Sequence, residues 1–185
     1  MNLPEPQPPE LQGKLLLASP TLSGGAFDHS VILLSQHNTK DGAFGLILNQ
    51  PTGQVVGNLL PSPAFHPLRH IGVHHGGPIN ENNLIFAAIW WDQISGLRII
   101  QQISAEDAIK HHKKPGTLVR AFVGYSGWSP GQLENELEQH TWIVSPAPAN
   151  FLSLPHDSSL WASTLRNLTP YHKLLADAPH NPFVN

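Results

Sequence analysis

The stretch from Leu118 to Leu137 constrains the fold more tightly than any other part of the chain. It opens with Leu118-Val119-Arg120-Ala121-Phe122-Val123, passes through Gly124-Tyr125-Ser126-Gly127-Trp128 and continues as Ser129-Pro130-Gly131-Gln132-Leu133-Glu134-Asn135-Glu136-Leu137. The first six residues are rich in β-branched and aromatic side chains, which predicts a largely buried strand. Gly124 and Gly127 accept positive φ without a Cβ clash, so they are expected to release the chain from the sheet. Ser129 then predicts a helix N-cap, with Pro130 at the first helical position and Gln132 reaching back in an S-x-x-Q capping box. Leu133 and Leu137, one turn apart, would face the sheet, whereas Glu134 and Glu138 form a like-charged i,i+4 pair that stays hydrated. The segment reads as strand, tight turn and helix.

A junction of this kind can hold a nucleophile, an anion or nothing. A nucleophile elbow would use Ser126, but the G-x-S-x-G pattern needs a glycine two residues after the serine, and Trp128 stands there. A turn serine bonding its own backbone is the alternative. Anion capture by the free N–H groups of the helix start is opposed by Glu134, whose carboxylate already complements the dipole in the first turn. The third reading is architecture, a capped helix packed by Trp128.

Composition narrows the classes. With 185 residues the chain suits one domain, which would bury about two thirds of its unfolded surface. Residues 1–10 read as a flexible Pro-rich segment and 11–185 as the domain. Charged residues make up 12% and the net charge is −3, so there is no basic stripe for nucleic acid and no polybasic patch for a membrane. The absence of cysteine excludes disulfides, thiolate zinc sites and thiol redox chemistry. Met1 to Pro9 has neither a basic n-region nor an apolar h-region, so it does not read as a secretory signal, and a cytoplasmic location is expected. No apolar run approaches the roughly 20 residues needed to span a bilayer.

Along the chain, strands are expected at Gly13 to Ala18, Ser30 to Ser35, Ala43 to Asn49, Ile71 to His74, Leu84 to Ala88, Leu97 to Ile100 and Trp142 to Val144. The turn cluster His37 to Gly42 predicts a hairpin. Thr52 is expected to cap a short helix running to Leu60, followed by an irregular passage over 61–70. Trp90, Trp91, Asp92 and Gly96 are placed in a loop. Ser104 opens a brief helix by the capping-box rule, and Asp157 caps one carrying Leu160, Trp161, Leu165 and Leu168. Tyr171 to Ala176 reads as a last short helix. Strands in hairpin-like runs with scattered helices, lacking strict βαβ alternation, indicate an α+β class.

Other candidates for chemistry fare less well. His66, His70 and His74 are four apart, but Pro67 and Gly72 interrupt any helix that would align them, and the adjacent pairs His74-His75 and His111-His112 would point apart in a strand. No H-E-x-x-H pattern occurs, so no metal site is expected. Gly76-Gly77-Pro78 is too brief for a phosphate cradle and reads as a tight turn that brings backbones together; no cofactor is indicated. Glu134, Glu136 and Glu138 alternate along a helix and do not face one another as an acid pair would.

Together, Gly13 to Pro20, Phe27-Asp28-His29-Ser30-Val31-Ile32-Leu33-Leu34, Gly42 to Pro51, Gly76-Gly77-Pro78 and Gly124 to Glu134 resemble the YqgE/AlgH family of bacterial proteins, over almost the whole chain. The resemblance implies a single α+β domain with a bifurcated, largely antiparallel sheet forming a partly closed pseudo-barrel, flanked by a few short helices. It implies no established activity. The AlgH name implies regulation of alginate synthesis in some bacteria, but no helix-turn-helix or basic face supports direct binding of DNA.

The leading functional expectation is a non-catalytic protein that binds an unknown protein partner or small molecule. The cleft would form where the turns at Asn49, Gly76-Gly77 and Gly127-Trp128 meet. Asn49 would offer an amide, Gly76 and Gly77 close backbone approach, Trp128 an apolar wall, and Gln132 and Glu134 polar fixtures. The rivals are a hydrolase using Ser126 or Glu134, and a transcriptional regulator as the AlgH name implies.

Overall fold

The computed structural model describes residues 11–178; the expectation for the Pro-rich segment 1–10 lies outside them. The described chain folds as one α+β unit, a mixed sheet curled into a half-barrel with several short helices. Its strands are β1 (Leu15–Ala18), β2 (Val31–Asn38), β3 (Gly42–Ile47), β4 (Pro51–Val55), β5 (Gly72–His75), β6 (Ile79–Asp92), β7 (Gly96–Ile103), β8 (Thr117–Trp128) and β9 (Trp142–Ser145). The helices are α1 (Val56–Leu59), α2 (Ala105–His112), α3 (Gln132–Glu138), α4 (Ser159–Arg166) and α5 (Pro170–Asp177), with 3-10 turns at Pro63–Leu68 and Phe151–Ser153.

Strand β8 is where the sheet divides. Along Thr117 to Val123 it pairs antiparallel with β6, while Ala121 to Val123 also pair in parallel with β5. Beyond Gly124 its last residues join β3 instead, with Ser126 opposite Gly45 and Trp128 opposite Ala43. One branch therefore runs through β3, β2, β1 and β9, and the other carries β5, β4, β6 and β7. The expected bifurcation is present, and the parallel β5–β8 pair makes the sheet mixed.

This arrangement revises the reading of the junction. Gly124 to Trp128 do not leave the sheet; they remain strand because β3 offers a second set of hydrogen-bonding partners. Gly124 has φ +71°, and a Cβ there would overlap the Gly77 carbonyl, so glycine bends the strand from one branch to the other. The helix start also moves. Gly131, at φ 77°, is the N-cap, rather than Ser129, and Pro130 precedes the helix. The reach-back of Gln132 survives, since its Oε1 accepts the Ser129 N–H at 3.0 Å.

Three further expectations change. Thr52 lies in β4, where its hydroxyl donates to the Val73 carbonyl at 2.9 Å, and α1 begins only after Val55 without a side-chain cap. Pairing with β5 overrides the local capping signal. Residues 63–68 form a 3-10 turn instead of an irregular passage. Trp90, Trp91 and Asp92 belong to β6, whose hairpin with β7 is closed by Asp92 accepting the Ile94 and Ser95 N–H groups. Ser104 caps α2 through the Asp107 N–H, and Asp157 accepts the Ser159 N–H at the start of α4.

The core follows from β1, whose four residues are all buried. Leu15 and Leu17 pack with Phe122, Ala87, Leu160 and Trp161 beneath α4, while Leu16 and Ala18 pack on the other face with Trp128, Trp142 and Leu133 of α3. A strand covered on both faces explains why Leu-Leu-Leu-Ala shows no polar alternation. Among the described residues no helix is long and apolar enough to cross a membrane.

Candidate binding site

Asn49 is buried in the bend two residues beyond β3, and both polar atoms of its amide are bonded. Oδ1 accepts the Val31 N–H and Nδ2 donates to the His29 carbonyl, each at 2.8 Å. His29 is thereby held at φ 52°, a conformation costly for a residue with a Cβ. Gly76 and Gly77 carry the chain from β5 to β6 directly against β8. A Cβ on either would overlap the backbone of Gly124 or Tyr125, and the Gly76 carbonyl accepts both the Ile47 N–H at 2.9 Å and the Ser126 hydroxyl at 3.1 Å. Ser126 is fully buried in β8, with its proton directed at that carbonyl.

Trp128 is a core residue and not the wall of an open cleft, because its strand position turns the indole into the layer beneath α3. Its Nε1–H donates to Glu136 Oε2 at 2.8 Å, and the Trp142 Nε1–H donates to the same oxygen at 2.7 Å. Gln132 Nε2 donates to the other oxygen, Oε1, at 3.0 Å. Glu136 was not singled out from the sequence. The available signal was the need of a buried indole N–H for an acceptor, met here by the carboxylate eight residues after Trp128.

Glu134 faces the surface, where Oε1 lies 2.9 Å from His37 Nε2. The His37 side chain is 5% exposed and that of Glu134 is 31% exposed. The register of β2 against β3 shifts between Leu34 and Gln36, an irregularity next to His37 of the kind that re-aims a side chain. Pairing of Ala43 with Trp128 then brings the hairpin tip beside α3. Within the tip Asn38 Oδ1 accepts the Lys40 N–H at 2.8 Å and Asn38 Nδ2 donates to Asp41 at 2.9 Å. His37 lines a polar depression of about 250 Å³ together with Gln12, Gln36, Asn38, Asp41 and Phe44.

Of the six residues named from the sequence, the structure gathers Gly76 and Gly77 with the strand that ends in Trp128, and ties Asn49 to the loop before β2. It sets Gln132 and Glu134 apart from these on α3. Depressions of similar size lie elsewhere among the described residues. One, of about 260 Å³, lies between Pro146 and Pro148 on one side and Ser163 and Thr164 of α4, with the following Asn167, on the other. Another, of about 330 Å³, is bounded by Asp28, His29, Trp161 and Leu175, and its wall ends at Ala178, the last described residue. Among the described residues no three His, Asp or Glu side chains converge as a metal centre needs.

A second polar centre joins His74, weighed above only as a metal-ligand candidate, to two residues the sequence reading did not name for chemistry, Arg120 and His156. Arg120 of β8 directs Nη1 to His74 Nε2 of β5 at 2.6 Å, and the His74 ring lies 3.3 Å from the His156 carbonyl. His156 Nε2 is 3.1 Å from the Phe151 carbonyl. Burial first, and then the Arg120 charge, pull the His74 pKa down to about 4, and the same two causes lower that of His156. The signal in the sequence was an arginine inside an otherwise apolar strand.

An AlgH-like family model matches residues 15–172. A UPF0301 protein of Cytophaga hutchinsonii is 31% identical, over 94% of this chain and 98% of its own length, and one of Chlamydia felis is 32% identical over 94% and 95%. The solution structure of the AlgH protein from Pseudomonas aeruginosa is similar, with a TM-score of 0.61, 27% identity and coverage of 98% of this chain and all of that one. Protein DIP2367 from Corynebacterium diphtheriae shares the fold with a TM-score of 0.71, at 24% identity and coverage of 94% and 95%.

Proposed function

This chain belongs to the AlgH-like family, and we propose that it works as a non-catalytic binding protein whose site is the depression at the β2–β3 hairpin, bounded also by Gln12. The observation that carries this reading is His37, which lines a polar cavity of about 250 Å³ and is held from α3 by Glu134 at 2.9 Å. Asp41 supplies a carboxylate acceptor there, while Gln12, Gln36 and Asn38 supply amides that both donate and accept, and Glu134 acts from α3 by fixing the His37 ring. A small ligand rich in donors, of the amine or polyol class, matches that lining. Gln132, Asn49, Gly76, Gly77 and Trp128 support the site from behind by fixing α3 and β8. The whole span 11–185 acts as a single domain in this reading, and a cytoplasmic location belongs with it.

The hydrolase alternative has less support. Ser126 lies beyond the reach of solvent and donates to a carbonyl instead of a base. Direct regulation of transcription is disfavoured by the net charge of −3 and by helices no longer than eight residues among those described.

Native mass spectrometry of protein purified from its own host tests the reading. A small-molecule adduct retained by the wild type and lost in Glu134→Ala supports it. Apo protein at every concentration, or an adduct that Glu134→Ala retains, counts against the site. Turnover of ester or phosphate substrates that disappears in Ser126→Ala or Glu134→Ala would favour the enzyme instead.

A further inference from the structure

Arg120 carries a charge that no acid among the described residues pairs with. Its side-chain contacts are the two nitrogens of the His74 imidazole, and no ion pair among the described residues includes it. The nearby carboxylate, Asp157, is engaged by Ser159, whose N–H and hydroxyl lie 2.9 and 2.6 Å from Oδ1. Burial alone accounts for the lowered pKa of the guanidinium, with no neighbouring acid to raise it. A partly buried cation in this position is costly unless an anion balances it.

The same region holds three buried polar atoms without partners, Arg120 Nε, His156 Nδ1 and Gln101 Oε1. Arg120 and Gln101 share one face of the sheet, and His156 approaches His74 from the segment before α4, its carbonyl 3.3 Å from that ring. Arg120 stands directly opposite Ala87, and Ala87 directly opposite Gln101, so only a methyl group separates the two long side chains in that row. His156 is 5% exposed and is packed against Phe151 in the segment leading to α4. His74 accepts from Arg120 at Nε2, so its ring is neutral. His156 donates Nε2–H to Phe151, which leaves Nδ1 as an acceptor with no donor.

We propose that the Arg120, His74 and His156 cluster binds a small oxyanion, a phosphate or carboxylate group, that supplies the missing negative charge. Arg120 Nε–H donates to an anionic oxygen, while Gln101 presents either end of its amide by rotation about its last bond. The orphan Nδ1 of His156 needs a proton between itself and the ligand. Monoanionic phosphate brings that proton as a P–OH group; a carboxylate requires His156 to take it from solvent. Either way binding strengthens as pH falls through neutrality. The charged and titratable groups around the ligand are Arg120, His74, His156 and, on the solvent side, Asp157.

The test is titration of the full chain with inorganic phosphate and, separately, with acetate, at constant ionic strength set by chloride. Ring 1H–15N signals of His74 and His156 provide the readout. The expected result is a saturable shift of both rings, with tighter binding at pH 6 than at pH 8. Arg120→Gln should weaken it by about tenfold or more, and Arg120→Lys by less. His156→Phe, which keeps a ring in the core, should weaken it as well, read on His74. Saturation by phosphate alone or acetate alone identifies the class. Non-saturating shifts with both anions, or unchanged affinity in a folded Arg120→Gln or His156→Phe variant, overturn the proposal.

Discussion

Glu136 accepts the indole N–H groups of Trp128 and Trp142 with one carboxylate oxygen, at 2.8 and 2.7 Å. Both indoles are buried, so removing the acceptor leaves two donors without water or protein partners. Glu136→Ala should therefore cost about 2 to 4 kcal/mol in urea denaturation, and Glu136→Gln, which keeps one acceptor, clearly less. His74 sets a pH dependence. Its folded pKa of about 4 lies below the ordinary value of 6.5, so the unfolded chain binds the proton first. Its contribution to stability is complete above pH 6.5 and is lost as pH falls towards 4, with His156 acting in the same direction. Denaturation midpoints measured across that window should fall more steeply in the wild type than in His74→Gln.

At the scale of elements, the crossing of the β5–β6 connection over β8 holds the two branches of the sheet together. Gly76, Gly77 and Gly124 meet there backbone to backbone, and Gly124 sits at φ +71°. Gly124→Ala adds both left-handed strain and overlap with the Gly77 carbonyl. It should destabilise by about 3 kcal/mol or more, whereas Gly53→Ala, equally left-handed but with open space around it, should cost only about 1 kcal/mol. Thermal melts of the two variants compare overlap with strain. The sequence made the glycines of this junction visible as points of close approach, and it placed most strands and the cap of α2 by local chemistry, whereas α4 starts from Ser158, one residue after the expected Asp157, without a side-chain cap. It misread Gly124 to Trp128 as a turn because what keeps them in the sheet is β3, some 80 residues earlier in the chain. Thr52 failed as a cap for the same reason, since pairing between β4 and β5 outweighs a local preference.

For the whole molecule, the AlgH-like half-barrel was legible through motifs spread from Gly13 to Glu134, while the candidate site was legible only in part. Glu134 could be named as a polar fixture, but its partner His37 lies 97 residues away and meets it only through the pairing of β3 with β8. Asn49, Gly76, Gly77 and Trp128 have the residue types of a binding cleft, yet closing the half-barrel uses their polar groups and surfaces internally. The low overall charge argues in the same direction as the polar depression: gel shifts at low salt should show no retention of duplex DNA. The most direct measurement for the binding site is a pair of 1H–15N spectra of the chain, recorded before and after exposure to a small-molecule extract of its host. The account predicts shifts concentrated in the amides of 36–44 and 132–136 and absent in Glu134→Ala; shifts centred elsewhere, or none, would contradict it.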